Sequence, residues 1–214
     1  GGAIITDPHG PNVAPILSDA KARVIDYTRE DVPELPLIGE FNRANARAAK
    51  AAASAAFPDI PDAVTDDALA SFRGSWRRFE YKGETPAGAT VYDDYAHHPT
   101  AVRATIEAAR AKFPAARIVV AFHPHLYSRT ERFLQEFADA LDTADRAIVA
   151  PIYEARTENT HTVSHRTLAR AGKRIEAMDS FDEIRDALIA EPEGTLIITM
   201  GAGDIYKVAE QITD

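Results

Sequence analysis

The sequence predicts an α/β fold: a Rossmann-like, doubly wound, mainly parallel sheet over residues 84–214, preceded by a small α/β piece over residues 1–83. Three observations lead there. From Ala89 onward, short β-rich apolar runs alternate with segments of helical period, and strands fed by crossover helices form a parallel sheet covered on both faces. The densest polar clusters, "YDDYAHHPT", "HPHLYSRT", "PIYEARTE" and "MGAGDI", each lie at the carboxyl end of an apolar run, the edge at which such sheets bind ligands. At 214 residues the chain is long enough for one large domain, or for one domain and a smaller piece.

Taken in order, "GGAIITD" reads as a short strand already under way, "VAPILSD" as a short helix and "ARVIDY" as a second strand. The proline-rich "VPELPLIG" is a spacer. Phe41 to Phe57, "FNRANARAAKAAASAAF", is an alanine-rich helix of high intrinsic propensity, and its alanines suit close packing. "TDDALASF" follows as a helix with Thr65 as N-cap, leading into "RGSWRRFEYKGE". The break "GETPAG" places the expected domain boundary between Gly83 and Gly88. Beyond it the expected strands are "ATVYDDY", "RIVVAFH", "RAIVAP", "RIEAM" and "GTLIITM". The helices between and after them include "PTAVRATIEAARAKF", "SRTERFLQEFADALD", "SFDEIRDALIAE" and "DIYKVAEQI".

Composition narrows the partners. Lys plus Arg is 24 against 33 for Asp plus Glu, and a net charge of −9 repels a polyanion, so nucleic acid is not an expected partner. With no cysteine there is no disulfide framework, thiolate metal site or cysteine nucleophile, which fits a reducing cytoplasm. No apolar run approaches the roughly 20 residues of a membrane span. The opening "GGAIITDPHG" lacks the basic and apolar regions of a signal peptide. The expected location is the cytoplasm, with no membrane partner.

Asp93, Asp94, Tyr95, His97 and His98 crowd into one strand end, and His123 and His125 into the next. These are ligand types for zinc, and "HPH" at a strand end suits a metal-dependent hydrolase. The same histidines also suit donation to phosphate oxygens or helix capping. Arg77, Arg78, Arg129 and Arg156 point toward anions, because planar guanidinium forks match carboxylate and phosphate. "GAGDI" offers a tight glycine turn between strand and helix, without the last glycine of the dinucleotide fingerprint.

In sequence order, "LIGEFNRANARAA", "ALASFRGSWRRFEYKG", "VYDDYAHHPTAV", "VVAFHPHLYSRT", "PIYEARTE" and "GAGDI" resemble the successive motifs of the Mur ligase family, over nearly all of the chain from Leu37 to its end. Before Leu37, "GGAIITDPHGPNVAPIL" looks like the latter part of that family's central ATPase domain. The likeness is greatest to members that join L-alanine to UDP-N-acetylmuramate for peptidoglycan. It implies an acyl phosphate made with ATP, attack on it by the amine of L-alanine, and Mg2+ bridging the phosphates. By motif, it implies ATP binding by Asn42 and Asn45 on the adenine side, Arg78 at the phosphates, Asp94 at the ribose hydroxyls and Tyr95 beside the nucleotide. It implies catalytic positions for His97, near the reacting phosphate, and for His125 and Arg129, which also hold the amino acid; Arg129 pairs with its carboxylate. No protein metal site is implied, the Mg2+ ligands being mostly outside this chain. The alternatives are a ligase of the same family that adds a recycled murein tripeptide, a metal-dependent hydrolase using His97, His98, His123 and His125, and a non-catalytic nucleotide-binding module.

The chain departs from the family pattern in three places. Phe41 stands where the family has a histidine before asparagine, and His123 where a glutamine is expected before "PH". There is no G-x-x-x-x-G-K-[ST] phosphate loop, Gly172-Lys173 being the only Gly-Lys pair and Arg174 following it. The expectation is the C-terminal portion of a longer ligase, inactive alone, whose N-terminal and phosphate-loop regions are its missing partners.

Overall fold

The computed structural model describes residues 2–157 and 162–213; Gly1 of the expected first strand and Glu158 of "PIYEARTE" lie outside them. The chain forms two compact units, Gly1–Arg73 and Gly74–Asp214. Among the described residues no helix is long and apolar enough to cross a membrane.

In the first unit, β1 (Ala3–Thr6) pairs in parallel with β2 (Arg23–Asp26), joined through the short helix α1 (Ala14–Leu17). Helix α2 runs Glu40–Ala56 and α3 runs Asp62–Ser71. The expected cap at Thr65 is corrected by the structure: Pro61, extended at φ −63° and ψ 142°, stops the chain ahead of Asp62, and the Thr65 hydroxyl donates to the Asp62 carbonyl inside the helix. Packing here rests on small and polar groups. Ala46 and Ala51 are buried on α2, and buried Lys50 donates to Asp66 Oδ1 at 2.7 Å and the Asp31 carbonyl at 3.0 Å, tying α2 to α3 and to the spacer.

The second unit is built on strands β3 (Glu80–Glu84), β4 (Thr90–Asp94), β5 (Arg117–Phe122), β6 (Arg146–Val149), β7 (Ile175–Ala177) and β8 (Thr195–Met200). Between and after them lie α4 (Pro99–Lys112), α5 (Tyr127–Arg132), α6 (Leu134–Leu141), α7 (His165–Ala171), α8 (Phe181–Ile189) and α9 (Tyr206–Ile212). The sheet order is β3-β4-β8-β5-β6-β7, parallel except for β3, which is antiparallel to β4. That pairing, closed by a turn in which Gly88 N–H donates to the Thr85 carbonyl at 2.8 Å, draws the "FEYKGE" run into the second unit. The division therefore falls at Arg73, before the Gly83–Gly88 boundary expected from the sequence. The expected single helix "SRTERFLQEFADALD" is two, because Phe133 leaves helical geometry at φ −116° and ψ 28° between α5 and α6.

The two central strands explain the stability of this unit. Ile118 to Phe122 on β5 and all of β8 are buried, as strands covered on both faces must be. Val91, Val119, Ala121 and Ile197 pack under Ile184, Leu188, Val208 and Ile212 of α8 and α9, while Phe122 meets Phe137 of α6 with ring centres 5.2 Å apart. β8 returns last and inserts between β4 and β5, so the order in which the chain adds its parallel strands reverses there. Such a reversal opens a crevice at the carboxyl ends of the strands.

Candidate active site

Strand register sets the site. Met200 ends β8 opposite Asp94 of β4 on one side and Phe122 of β5 on the other. The residues that follow, Tyr95 to His98, Gly201 to Asp204 and His123 to Arg129, therefore leave the sheet side by side. All three non-glycine residues with left-handed backbone among the described residues lie in loops at this edge: Arg77 (φ 57°), Phe79 (φ 48°) and Leu126 (φ 68°). Strain of this kind gathers where the surrounding structure holds a chain for function.

At the β4 side, Asp93 is fully buried and accepts from Arg77 Nε at 2.7 Å and from the Thr199 hydroxyl at 2.5 Å. Burial pushes its carboxyl up, against the pull of the Arg77 and Thr199 hydrogen bonds. Arg77, only 2% exposed, spends its other nitrogens on the Gly203 carbonyl at 2.9 Å and the Gly201 carbonyl at 2.6 Å.

Asp94, the residue expected at the ribose hydroxyls, lies at the end of β4. It is 5% exposed; Oδ2 accepts from the Phe79 N–H at 2.8 Å, and Oδ1 from the Ala96 N–H at 2.8 Å and the Thr105 hydroxyl at 3.4 Å. With both oxygens engaged by groups of its own fold, it pins the two turns that carry Arg78 and Tyr95. Arg78 itself is exposed and stands over the Tyr95 ring at 5.5 Å.

At the β5 side, the rings of His97 and His125 are 5.8 Å apart, and Arg129 on the first turn of α5 reaches both: Nη1 lies 3.5 Å from the His97 carbonyl and 3.4 Å from His125 Nδ1. Tautomers follow from what each partner is able to do. The Tyr95 carbonyl only accepts, so His97 Nδ1, 2.9 Å away, carries the proton and Nε2 keeps its lone pair. A guanidinium only donates, so His125 Nδ1 is the lone-pair nitrogen. Burial, opposed by the Tyr95 carbonyl, lowers the His97 pKa below the ordinary histidine value, keeping it neutral near pH 7. The corner thus holds a half-buried cation beside an uncharged imidazole acceptor.

The other two histidines turn elsewhere. His98 caps α4, its Nδ1 accepting from the Thr100 N–H at 3.4 Å, and packs on Phe133. His123 is buried between Tyr153 and Phe181, with ring centres at 5.5 and 5.1 Å. Among the described residues no three His, Asp or Glu side chains gather as a metal site, so the four-histidine hydrolase arrangement does not form. A nucleotide is different: exposed Arg78 over Tyr95 suits its phosphates and a flat ring. Asn42 and Asn45 lie on α2 in the first unit, where the Asn42 amide donates to the Ile38 carbonyl at 2.8 Å. Arg156 lies on the loop after β6.

Two residues of this edge went unassigned in the sequence. Arg77 reads there as one arginine among four, and no local feature of the sequence separates it from Arg78. Thr199 is a polar residue inside the wholly buried "TLIITM", in register with Asp93, and that contrast was the available signal.

Residues 77–203 match the family described as "Mur ligase, glutamate ligase domain". A UDP-N-acetylmuramate–L-alanine ligase of Agathobacter rectalis is 42% identical over 184 residues, 84% of this chain and 39% of that protein. One from Renibacterium salmoninarum is 37% identical over 205 residues, 93% of this chain and 43% of that protein. The crystal structure of the UDP-N-acetylmuramate–alanine ligase from Thermotoga maritima superposes with a TM-score of 0.66 at 30% identity, covering 83% of this chain and 38% of that one. This chain therefore spans about two fifths of the length of these relatives.

Proposed function

The chain belongs to the Mur ligase family, and on that premise we propose that it carries the amino-acid side of an ATP-dependent ligase that joins L-alanine to UDP-N-acetylmuramate in peptidoglycan precursor synthesis. The single observation that carries the reading is the corner formed by His97, His125 and Arg129. ATP supplies the phosphoryl group that activates the sugar carboxylate as an acyl phosphate.

The residues divide that work by charge. Arg129 pairs with the alanine carboxylate, the match for which a planar fork is suited. His97 Nε2 takes a proton from the alanine ammonium, leaving a neutral amine able to attack the acyl carbon; an imidazole must be uncharged to do this, and burial favours that form of His97. His125 backs the amino acid from the other side. Arg78 flanks the phosphates and Tyr95 the nucleoside. Residues 1–73 then represent the latter part of the family's central ATPase domain, and residues 74–214 its C-terminal domain. Magnesium and the phosphate loop are assigned to the rest of the longer protein.

The test uses the intact protein containing this chain. Truncating one member of a desolvated charge pair costs on the order of 2–5 kcal/mol, so Arg129→Ala raises the KM for alanine roughly 30-fold or more while the KM for ATP stays within about twofold. An equal rise for both substrates places Arg129 elsewhere and overturns the assignment.

A further inference from the structure

Arg77 has no part in the reaction as assigned above, yet it is a buried cation with every side-chain nitrogen committed. Its three nitrogens fan out to three acceptors on two strand ends: Asp93 Oδ2, the Gly203 carbonyl and the Gly201 carbonyl. The guanidinium carbon lies over the rings of Tyr206 (4.8 Å), Tyr95 (5.3 Å) and Trp76 (5.7 Å). Left-handed backbone at Arg77 and at Phe79 turns Arg77 inward and leaves Arg78 exposed, so Tyr95 carries a buried cation and an exposed one.

The glycine turn after β8 is held from the opposite side as well. A Cβ on Gly201 would lie 2.5 Å from the His123 carbonyl oxygen, and one on Gly203 would lie 2.6 Å from His123 Nδ1. That nitrogen is buried without a hydrogen-bond partner, pressed against the turn. The turn is thus gripped by Arg77 on its carbonyls and by His123 on its bare Cα faces.

We propose that Arg77 is a positioning residue for nucleotide: it does not touch the ligand, but fixes Tyr95 and the Gly201–Gly203 turn in the arrangement that receives it. This rests on the nucleotide role given above to Tyr95 and Arg78. A lysine keeps the charge but supplies a single nitrogen, which cannot serve three acceptors set in a fan.

The experiment compares Arg77→Lys with the unsubstituted sequence. In the 214-residue chain, the amide resonances of Tyr95, Gly201 and Gly203 are recorded; in the intact protein, the dissociation constant for ADP with magnesium and the KM for alanine are measured. The expected result is displaced resonances at those three amides, at least a tenfold weaker hold on ADP, and a KM for alanine changed less than twofold. Unmoved amides, or moved amides with unchanged ADP affinity, overturn the proposal. If Arg77→Lys fails to fold, Asp93→Asn, which leaves the two carbonyl contacts of Arg77, is expected to weaken ADP binding about threefold, and no change overturns the proposal. If the unsubstituted intact protein does not bind ADP, the nucleotide reading of the site falls first, and the role of Arg77 with it.

Discussion

Gly201→Ala gives the sharpest test of how this edge is built. Gly201 sits at φ +140°, a backbone region that side chains with L chirality rarely adopt, and an added Cβ would lie 2.5 Å from the His123 carbonyl oxygen and 3.1 Å from its Cβ. Neither neighbour is free to retreat. The His123 N–H is bonded to the Met200 carbonyl at 2.8 Å, and the Gly201 carbonyl is held by Arg77 at 2.6 Å. Backbone strain contributes about 1–3 kcal/mol and forced overpacking about 1–3 kcal/mol. Gly194→Ala is the matched control: φ is +83°, but nothing lies within 4 Å of the new Cβ, so only strain of about 1–2 kcal/mol applies. For a unit of this size 1 kcal/mol moves the melting temperature by roughly 2–4 °C. Thermal unfolding followed by circular dichroism should show Gly201→Ala lowered by about 4–24 °C and Gly194→Ala by about 2–8 °C, with Gly201→Ala melting clearly lower of the two. Two variants melting within about 2 °C of each other would show that the clash at His123 is not real and that the turn is loose.

Two further outcomes are expected. Burial holds the His123 pKa down at about 4, so between pH 6.5 and pH 4 the unfolded chain takes up a proton that the folded chain refuses, and stability falls by about 3 kcal/mol as the pH drops through that window. Subtracting the pH curve of His123→Gln cancels the opposing carboxyl titrations and isolates the effect; a flat difference contradicts it. The 214-residue chain, given UDP-N-acetylmuramate, L-alanine, ATP and magnesium, should release phosphate only at background rate, because its sequence has no phosphate loop and one missing electrostatic donor alone typically slows such a step a hundredfold or more. Turnover above background would mean that a phosphate site exists in this chain.

The parallel core was legible because β5 and β8 are covered on both faces, so their apolar runs are unbroken and need no partner to be recognised. Register was not legible. That Met200 lies between Asp94 and Phe122 depends on β8 returning to the middle of the sheet, a long-range choice with no local signature. The same limit explains β3: "FEYKGE" reads as a strand, but only its pairing with β4 shows which unit owns it. At the site, residue types pointed to one edge of the sheet, and His97, His125 and Arg129 do converge there. Asp94 and His98 show what stays open in a sequence: an Asp or His beside a strand end serves a backbone N–H as readily as a ligand, and the sequence does not say which donor arrives first. Arg77 escaped because two of its three acceptors are backbone carbonyls more than a hundred residues away, at Gly201 and Gly203.

The central claim is that the corner of His97, His125 and Arg129 receives an amine that attacks an acyl phosphate, and isotope transfer tests it most directly. UDP-N-acetylmuramate labelled with 18O in its carboxylate is turned over by the intact protein with ATP and L-alanine, and the released phosphate is examined by mass spectrometry. An acyl phosphate leaves one carboxylate oxygen on phosphorus when the amine displaces it, so the account predicts one 18O in each phosphate, formed in step with the amide. Amide formation with unlabelled phosphate, or phosphate release with no amide, would contradict it.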